Sequence, residues 1–238
     1  MLIGATGIAW MLIRPGPDPN FPHLDPSKHF QFPHPDKWDD NIISVGGNLS
    51  PGLLLSAYEQ GIFPWFNEED PVIWQSPDPR CVLFPDRLHI SASMRKILNS
   101  GAFEITYDEN FEGVIRGCSE VKRAKQEGTW ITNDIIEAYT ELHRLGFAHS
   151  AEAWQDGELV GGCYGLLLGR AFCGESMFAK KPNASKAAFL SLAQLMFEHG
   201  VAFIDCQVPT KHLMSLGAQE MPRKEFLELL KKYRVFRY

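Results

Sequence analysis

The spacing of apolar positions along the chain changes period several times, and each period predicts an element. "LSPGLLLSAYEQG" predicts a helix, with Ser50 as N-cap, Pro51 at the first helical position and Gly61 just past the end. "PVIWQSPDPRCVLF" predicts two short strands separated by a Pro-Asp-Pro turn. "SASMRKILNSG" predicts a second helix from Ser91, "FEITYD" an alternating strand, and Asp108 a cap for the helix "ENFEGVIRGC". From residue 129 the pattern becomes more regular. Thr132 caps an amphipathic helix, and the strands "AHSAEAWQ", "ELVGGCYGLLLG" and "AFCGESMFA" follow. Asp156-Gly157 is a two-residue hairpin signal between the first two, and Gly169-Arg170 marks the next turn. The helix "ASKAAFLSLAQLMFEHG", an apolar strand from Val201 and a final helix after Pro222 complete the chain. Helix, three-strand meander, helix, strand and helix make an α+β arrangement.

Two strands carry polar residues that an apolar run does not explain. Asp205 and Gln207 end the strand from Val201, and alternation places them on one face with Ile204 and Cys206 on the other. In "FCGESMF" alternation groups Cys173, Glu175 and Met177 against Phe172, Gly174, Ser176 and Phe178. A carboxylate among apolar neighbours is costly unless it is paired or borders a pocket. A sheet end meeting solvent and a structural ion pair remain open beside a functional role. "GIFPWF" and "GTWIT" present Trp65 and Trp130, suited either to packing or to stacking on a nucleobase.

Composition narrows the class. Of 238 residues, 45% are hydrophobic and 22% charged, as in a globular chain, and the net charge is −6. An acidic protein does not wrap nucleic acid wholesale, yet residues 80–125 hold eight Lys/Arg against six Asp/Glu. The cysteines Cys81, Cys118, Cys163, Cys173 and Cys206 are odd in number and form no C-x-x-C, which fits buried reduced thiols in a cytoplasm. The eight histidines show no metal-ligand spacing, so no metal is expected, and His143 and His149 read as packing residues. "MLIGATGIAWMLI" is too short to span a bilayer and lacks a basic start, so residues 1–20 read as a first strand or an unstructured extension, with no membrane association.

The order of elements after residue 129 resembles the acyl-coenzyme A N-acyltransferase (GNAT-like) fold. The glycine-rich turn that would hold a pyrophosphate is missing: "MFAKKPNASKAA" offers Lys180 and Lys181 but no glycine. The blocks "GGNLSPGLLLSAYEQGIFPWF", "WQSPDPRCVLFP", "GTWIT", "AYTELHRLGFAHSAEAW", "FCGESMFAKKPNASK" and "FIDCQVPTKHLMSLGAQEMPR" together resemble leucyl/phenylalanyl-tRNA–protein transferases over residues 32–227. Asn48 stands where that family usually has Asp, and Gln75 where it usually has a second Trp.

The resemblance implies a small N-terminal α/β domain (residues 1–90) and a larger GNAT-like catalytic domain (residues 91–238), in which tRNA replaces the coenzyme and no cofactor is needed. It implies transfer of Leu, Phe or, less readily, Met from aminoacyl-tRNA to proteins beginning with Arg or Lys, marking them for N-end rule degradation. A cytoplasmic monomer is expected. Asp205, Gln207 and Glu175 would be catalytic. Trp65, Trp130 and Tyr58 would hold the terminal adenosine, and Met177 and Ile204 would line the amino-acid pocket. The tRNA body would meet Arg80, Arg87, Arg95, Lys96, Lys122, Arg123 and Lys125, with Lys180 and Lys181 near the acceptor end. Two other functions compete: a coenzyme A-dependent N-acyltransferase, opposed by the missing turn, and a non-catalytic reader of basic protein N-termini.

Overall fold

A computed structural model describes residues 3–4, 14–121 and 129–234. The chain divides into two compact units that alternate along the sequence. The first unit comprises residues 1–80, 122–141 and 221–238, and the second comprises 81–121 and 142–220. No single cut near residue 90 separates them, because the segment from 81 packs with the meander and the C-terminal helix packs with the N-terminal residues.

The first unit contains a four-stranded sheet of β1 (Ile3–Gly4), β2 (Ile42–Val45), β3 (Phe63–Pro64) and β4 (Ile73–Gln75), in the order β1-β2-β4-β3. The helix α1 (Pro51–Glu59) is buried along its whole length. Its predicted N-cap, Ser50, makes no side-chain cap bond; its hydroxyl instead accepts from the Leu24 N–H and ties down the proline-rich entry. Gly61 follows with φ +74°, where a side chain would strike Leu227 at 2.5 Å. Asn48 donates to the Phe21 carbonyl and Gln75 to the Trp65 carbonyl, so both departures from the family pattern serve as backbone ties. Helices α4 (Asn133–Arg144) and α7 (Arg223–Tyr233) follow the predicted starts, with Thr132 Oγ1 capping the Ile135 N–H.

The second unit is built on a seven-stranded sheet: β5 (Arg80–Leu83), β6 (Glu104–Tyr107), β7 (Ala148–Gln155), β8 (Glu158–Leu168), β9 (Ala171–Ala179), β10 (Phe203–Gln207) and β11 (Gln219–Met221). The spatial order is β11-β5-β10-β9-β8-β7-β6. Strands β6 to β9 form an antiparallel meander, and Asp156 and Gly157 adopt the positive φ values the hairpin requires. Helix α5 (Ala184–Glu198) then crosses over, so that β10 lies parallel to β9. This is the mixed α+β order of helix, meander, helix, strand and helix that the sequence predicts. One face of the sheet packs on alanines 184, 187, 188 and 193 of α5 in a core with Leu83, Cys163, Phe172 and Ile204. Helix α3 (Phe111–Ser119) packs on β7, β8 and β9, where its Gly117 lies against the Phe178 ring. Helices α2 (Ala92–Asn99) and α6 (Lys211–Ser215) complete the unit.

Asn110, not Asp108, caps α3, with Oδ1 accepting from the Gly113 N–H. Asp108 instead binds the Ser150 N–H and lies 2.8 Å from His149 Nδ1. His143 stacks on Phe111 at 4.4 Å and bonds the Ala148 carbonyl. All five cysteines are buried and unbridged.

Candidate functional site

Alternation alone does not aim the polar residues of β9 and β10; two irregularities in the ladder do. On β8, Tyr164 pairs with Ser176 and Gly165 with Gly174, so Glu175 is an extra residue on β9. The pairing returns Cys173 and Met177 to opposite faces, correcting the grouping expected from sequence. Met177, opposite Cys163, packs against the α5 core, whereas Glu175 stands outside the pleat. On β10, Asp205 pairs with Val82 and Gln207 with Cys81, which leaves Cys206 as the extra residue and sets Asp205 and Gln207 opposite successive residues of β5, correcting the shared face expected from alternation. Gln207 then takes φ +62°, a left-handed conformation unusual for a long side chain.

The two bulges occur where the parallel strands part. Pairing of β10 with β9 runs from Phe203 opposite Ala171 to Asp205 opposite Cys173, and Glu175 and Gln207 lie past its end. There the three predicted catalytic side chains meet. The Gln207 backbone N–H donates to Asp205 Oδ1 at 2.9 Å, and Gln207 Nε2 donates to Glu175 Oε1 at 2.8 Å. Asp205 is fully buried, Gln207 nearly so, and Glu175 half-buried. Because the amide nitrogen is committed to Glu175, the amide oxygen of Gln207 is the end left to meet a donor. The Cys81 thiol bonded to it, then burial and the Asp205 charge, push the Cys206 thiol well above its ordinary pKa. It stays protonated, and nucleophilic catalysis by Cys206 is disfavoured.

Ile204 is buried in the α5 core, and Met177 is partly buried against it with Cys163 and Phe172. The two expected pocket residues therefore border one apolar cluster beside the polar trio.

Trp65, Trp130 and Tyr58 all belong to the first unit. Trp65 is half-exposed, its backbone held by Ile73 and Gln75, and Trp130 is 7% exposed. Tyr58 is 1% exposed, and its hydroxyl makes a short bond to that of Tyr139 with the rings edge to face. Its ring and hydroxyl are packed inside the first unit. Tyr139 has no signal in the sequence beyond its helical position.

The basic residues separate sharply. Arg87, Arg95, Lys96, Lys180 and Lys181 are exposed. Arg80 is 1% exposed, its guanidinium lying over the rings of Phe226 at 4.4 Å and Phe63 at 5.0 Å while donating to the Gly61 carbonyl. It is a core cation and is withdrawn from the expected tRNA face. Lys122, Arg123 and Lys125 lie outside the described residues. Among the described residues, no group of three or more His, Cys, Asp or Glu could hold a metal, and no helix is long and apolar enough to cross a membrane.

Comparison with known proteins identifies the family. Residues 82–231 match the family model "Leucyl/phenylalanyl-tRNA protein transferase", and residues 47–78 match the model of that family's N-terminal domain. The leucyl/phenylalanyl-tRNA–protein transferase of Flavobacterium johnsoniae is 54% identical over 81% of this chain and 91% of its own. That of Myxococcus xanthus is 53% identical over 84% and 86%. Among solved structures there are looser likenesses. A GCN5-related N-acetyltransferase from Kribbella flavida has 12% identity and a TM-score of 0.36, covering 73% of this chain and 61% of its own. L-PGS from Bacillus licheniformis has 18% identity and a TM-score of 0.41, covering 56% and 47%. With identities above half across most of both chains, this chain belongs to the leucyl/phenylalanyl-tRNA–protein transferase family and is an aminoacyltransferase.

Proposed function

We propose that the protein transfers leucine or phenylalanine, and less readily methionine, from aminoacyl-tRNA to the α-amine of proteins that begin with Arg or Lys, and so marks them for N-end rule degradation. The observation that carries this reading is the bonded trio of Asp205, Gln207 and Glu175 at the parted ends of β9 and β10. The donor is an ester already activated toward amines, so the chief task is to hold a neutral amine against its carbonyl. Gln207 Oε1 accepts from the attacking amine. The new N–C bond forms as the C–O bond to the ribose breaks, and the amine proton ends on the ribose oxygen. Asp205 fixes the Gln207 backbone, Glu175 fixes its amide, and the two carboxylates suit the cationic side chain of the acceptor's first residue.

The apolar cluster with Met177 and Ile204 supports a pocket for an unbranched or γ-branched side chain. Trp65 and Trp130 would hold the terminal adenosine, and Arg87, Arg95, Lys96, Lys180 and Lys181 would meet phosphates. We expect the protein to act as a cytoplasmic monomer. Incubation with radiolabelled leucyl-tRNA and a peptide beginning with Arg tests the reading. Label should pass to the peptide, and prior ribonuclease treatment of the donor should abolish transfer. An absence of transfer, or transfer from acyl-coenzyme A instead, would overturn it.

A further inference from the structure

The bulge that carries Glu175 depends on a residue of the neighbouring strand. Gly165 on β8 pairs with Gly174, immediately beside the extra residue of β9. A Cβ at Gly165 would lie 2.2 Å from the Cys173 carbonyl oxygen and 2.7 Å from the Phe172 ring. A backbone oxygen cannot step aside as a flexible side chain can, and Phe172 is locked in the α5 core. The β9 backbone therefore reaches its observed course only because position 165 has no side chain. Gly174 differs: a Cβ there would meet the Asp205 carbonyl at an ordinary 3.6 Å. The tight approach falls on Cys173, two residues before Glu175 and directly opposite Asp205 across the parallel pair.

We infer that Gly165 is a positioning residue for the transfer reaction: by admitting the Cys173 carbonyl and the Phe172 ring, it sets the course of β9 that brings Glu175 to the Gln207 amide. The inference rests on the role proposed above for Glu175 and Gln207. A side chain at 165 would push Cys173 outward and carry Glu175 away from Gln207 Nε2, freeing the amide to turn. Donor binding through the tryptophans of the first unit would be untouched.

The test is a double-mutant cycle on the full-length protein. Label transfer from leucyl-tRNA is measured per folded molecule, with the folded fraction set by near-ultraviolet circular dichroism. Gly165→Ala should lower kcat about 10–100-fold, the size expected for a displacement of the order of 1 Å, with the donor KM nearly unchanged. In a Glu175→Ala background the same substitution should cost less than about twofold, because the contact it acts through is already gone. Gly117→Ala, which presses the Phe178 ring from α3, is the control; it should reduce stability while leaving kcat per folded molecule near wild type. If Gly165→Ala does not accumulate as folded protein, it is made on a Phe172→Leu background, which yields the space the ring occupies while the Cys173 carbonyl is still displaced, and the cycle is run there. Equal losses with and without Glu175→Ala, or an unchanged kcat, would overturn the inference. Loss of transfer by the wild-type protein itself would instead overturn the proposed function.

Discussion

The two compact units treat their polar groups in opposite ways. In the first, Arg80 lies between the rings of Phe63 and Phe226, and Tyr58 and Tyr139 close a hydroxyl pair inside the core. Both side chains are enclosed by regular packing. In the second, the polar groups of β9 and β10 gather where the ladder is irregular. Glu175 and Cys206 are extra residues, Gln207 is left-handed, and the strands part just beyond Asp205. Regular structure satisfies its polar groups within the ladder, whereas a bulge takes a side chain out of the pleat and re-aims it. A conspicuous aromatic or charged residue is thus a weaker sign of a site than a break in strand pairing.

The comparison makes predictions of decreasing size. Gln207→Ala and Asp205→Ala should each slow transfer of labelled leucine by about 100-fold or more, with donor affinity nearly kept, since they remove the amine acceptor or its support. Wild-type rates for both would reduce the trio to ordinary strand-end residues. Next, Arg80→Ala should destabilise the protein by about 3 kcal/mol in urea unfolding, because the two rings lose their packing partner and the Gly61 carbonyl is orphaned. It should leave the salt dependence of tRNA binding unchanged. A flattened salt slope would restore Arg80 to the tRNA face.

Trp65→Ala should weaken binding of a minimal leucyl-adenosine by about 1–3 kcal/mol. Tyr58→Phe should cost about 1 kcal/mol of stability and leave that affinity alone. The opposite pattern would mean that the buried tyrosine, not the half-exposed tryptophan, meets the donor. Charge reversal at the exposed Arg95 and Lys96 should reduce the slope of log affinity for whole aminoacyl-tRNA against log salt by about one for each phosphate no longer neutralised. The minimal donor should show little salt dependence in any variant, and identical salt responses would remove the basic face.

The smallest effect concerns Asp108. Burial acts to raise its pKa, but the His149 side chain, the Ser150 N–H and the His143 charge outweigh it and hold the carboxyl below its usual range. A depressed folded pKa contributes stability that is present above the unfolded value, near about pH 4, and is lost as pH falls through the folded value. Asp108→Asn should therefore lower stability slightly at neutral pH and flatten its decline below about pH 4. An unchanged acid limb in thermal melts would show that the bonds to His149 and Ser150 contribute nothing net.

The sequence by itself determined much of this protein. Apolar period, caps and turn residues located the meander, the α5 helix, the Asp156-Gly157 hairpin, the helix start at Ser91 and the Thr132 cap. These signals are local, each depending on residues within a few positions. The composition of β9 and β10 also singled out Glu175, Asp205 and Gln207. Alternation could not say how those side chains meet. Which residue of β9 is extra is set by its pairing with Tyr164 and Gly165 of β8, and which residue of β10 is extra by its pairing with Val82 and Cys81 of β5, partners that lie on other strands. Likewise the fate of Arg80 turned on Phe226, near the other end of the chain, and that of Tyr58 on Tyr139, 81 positions away. Pairing register and burial are long-range properties. They are decided when separate segments compete for the same space, and only the tertiary structure records the outcome.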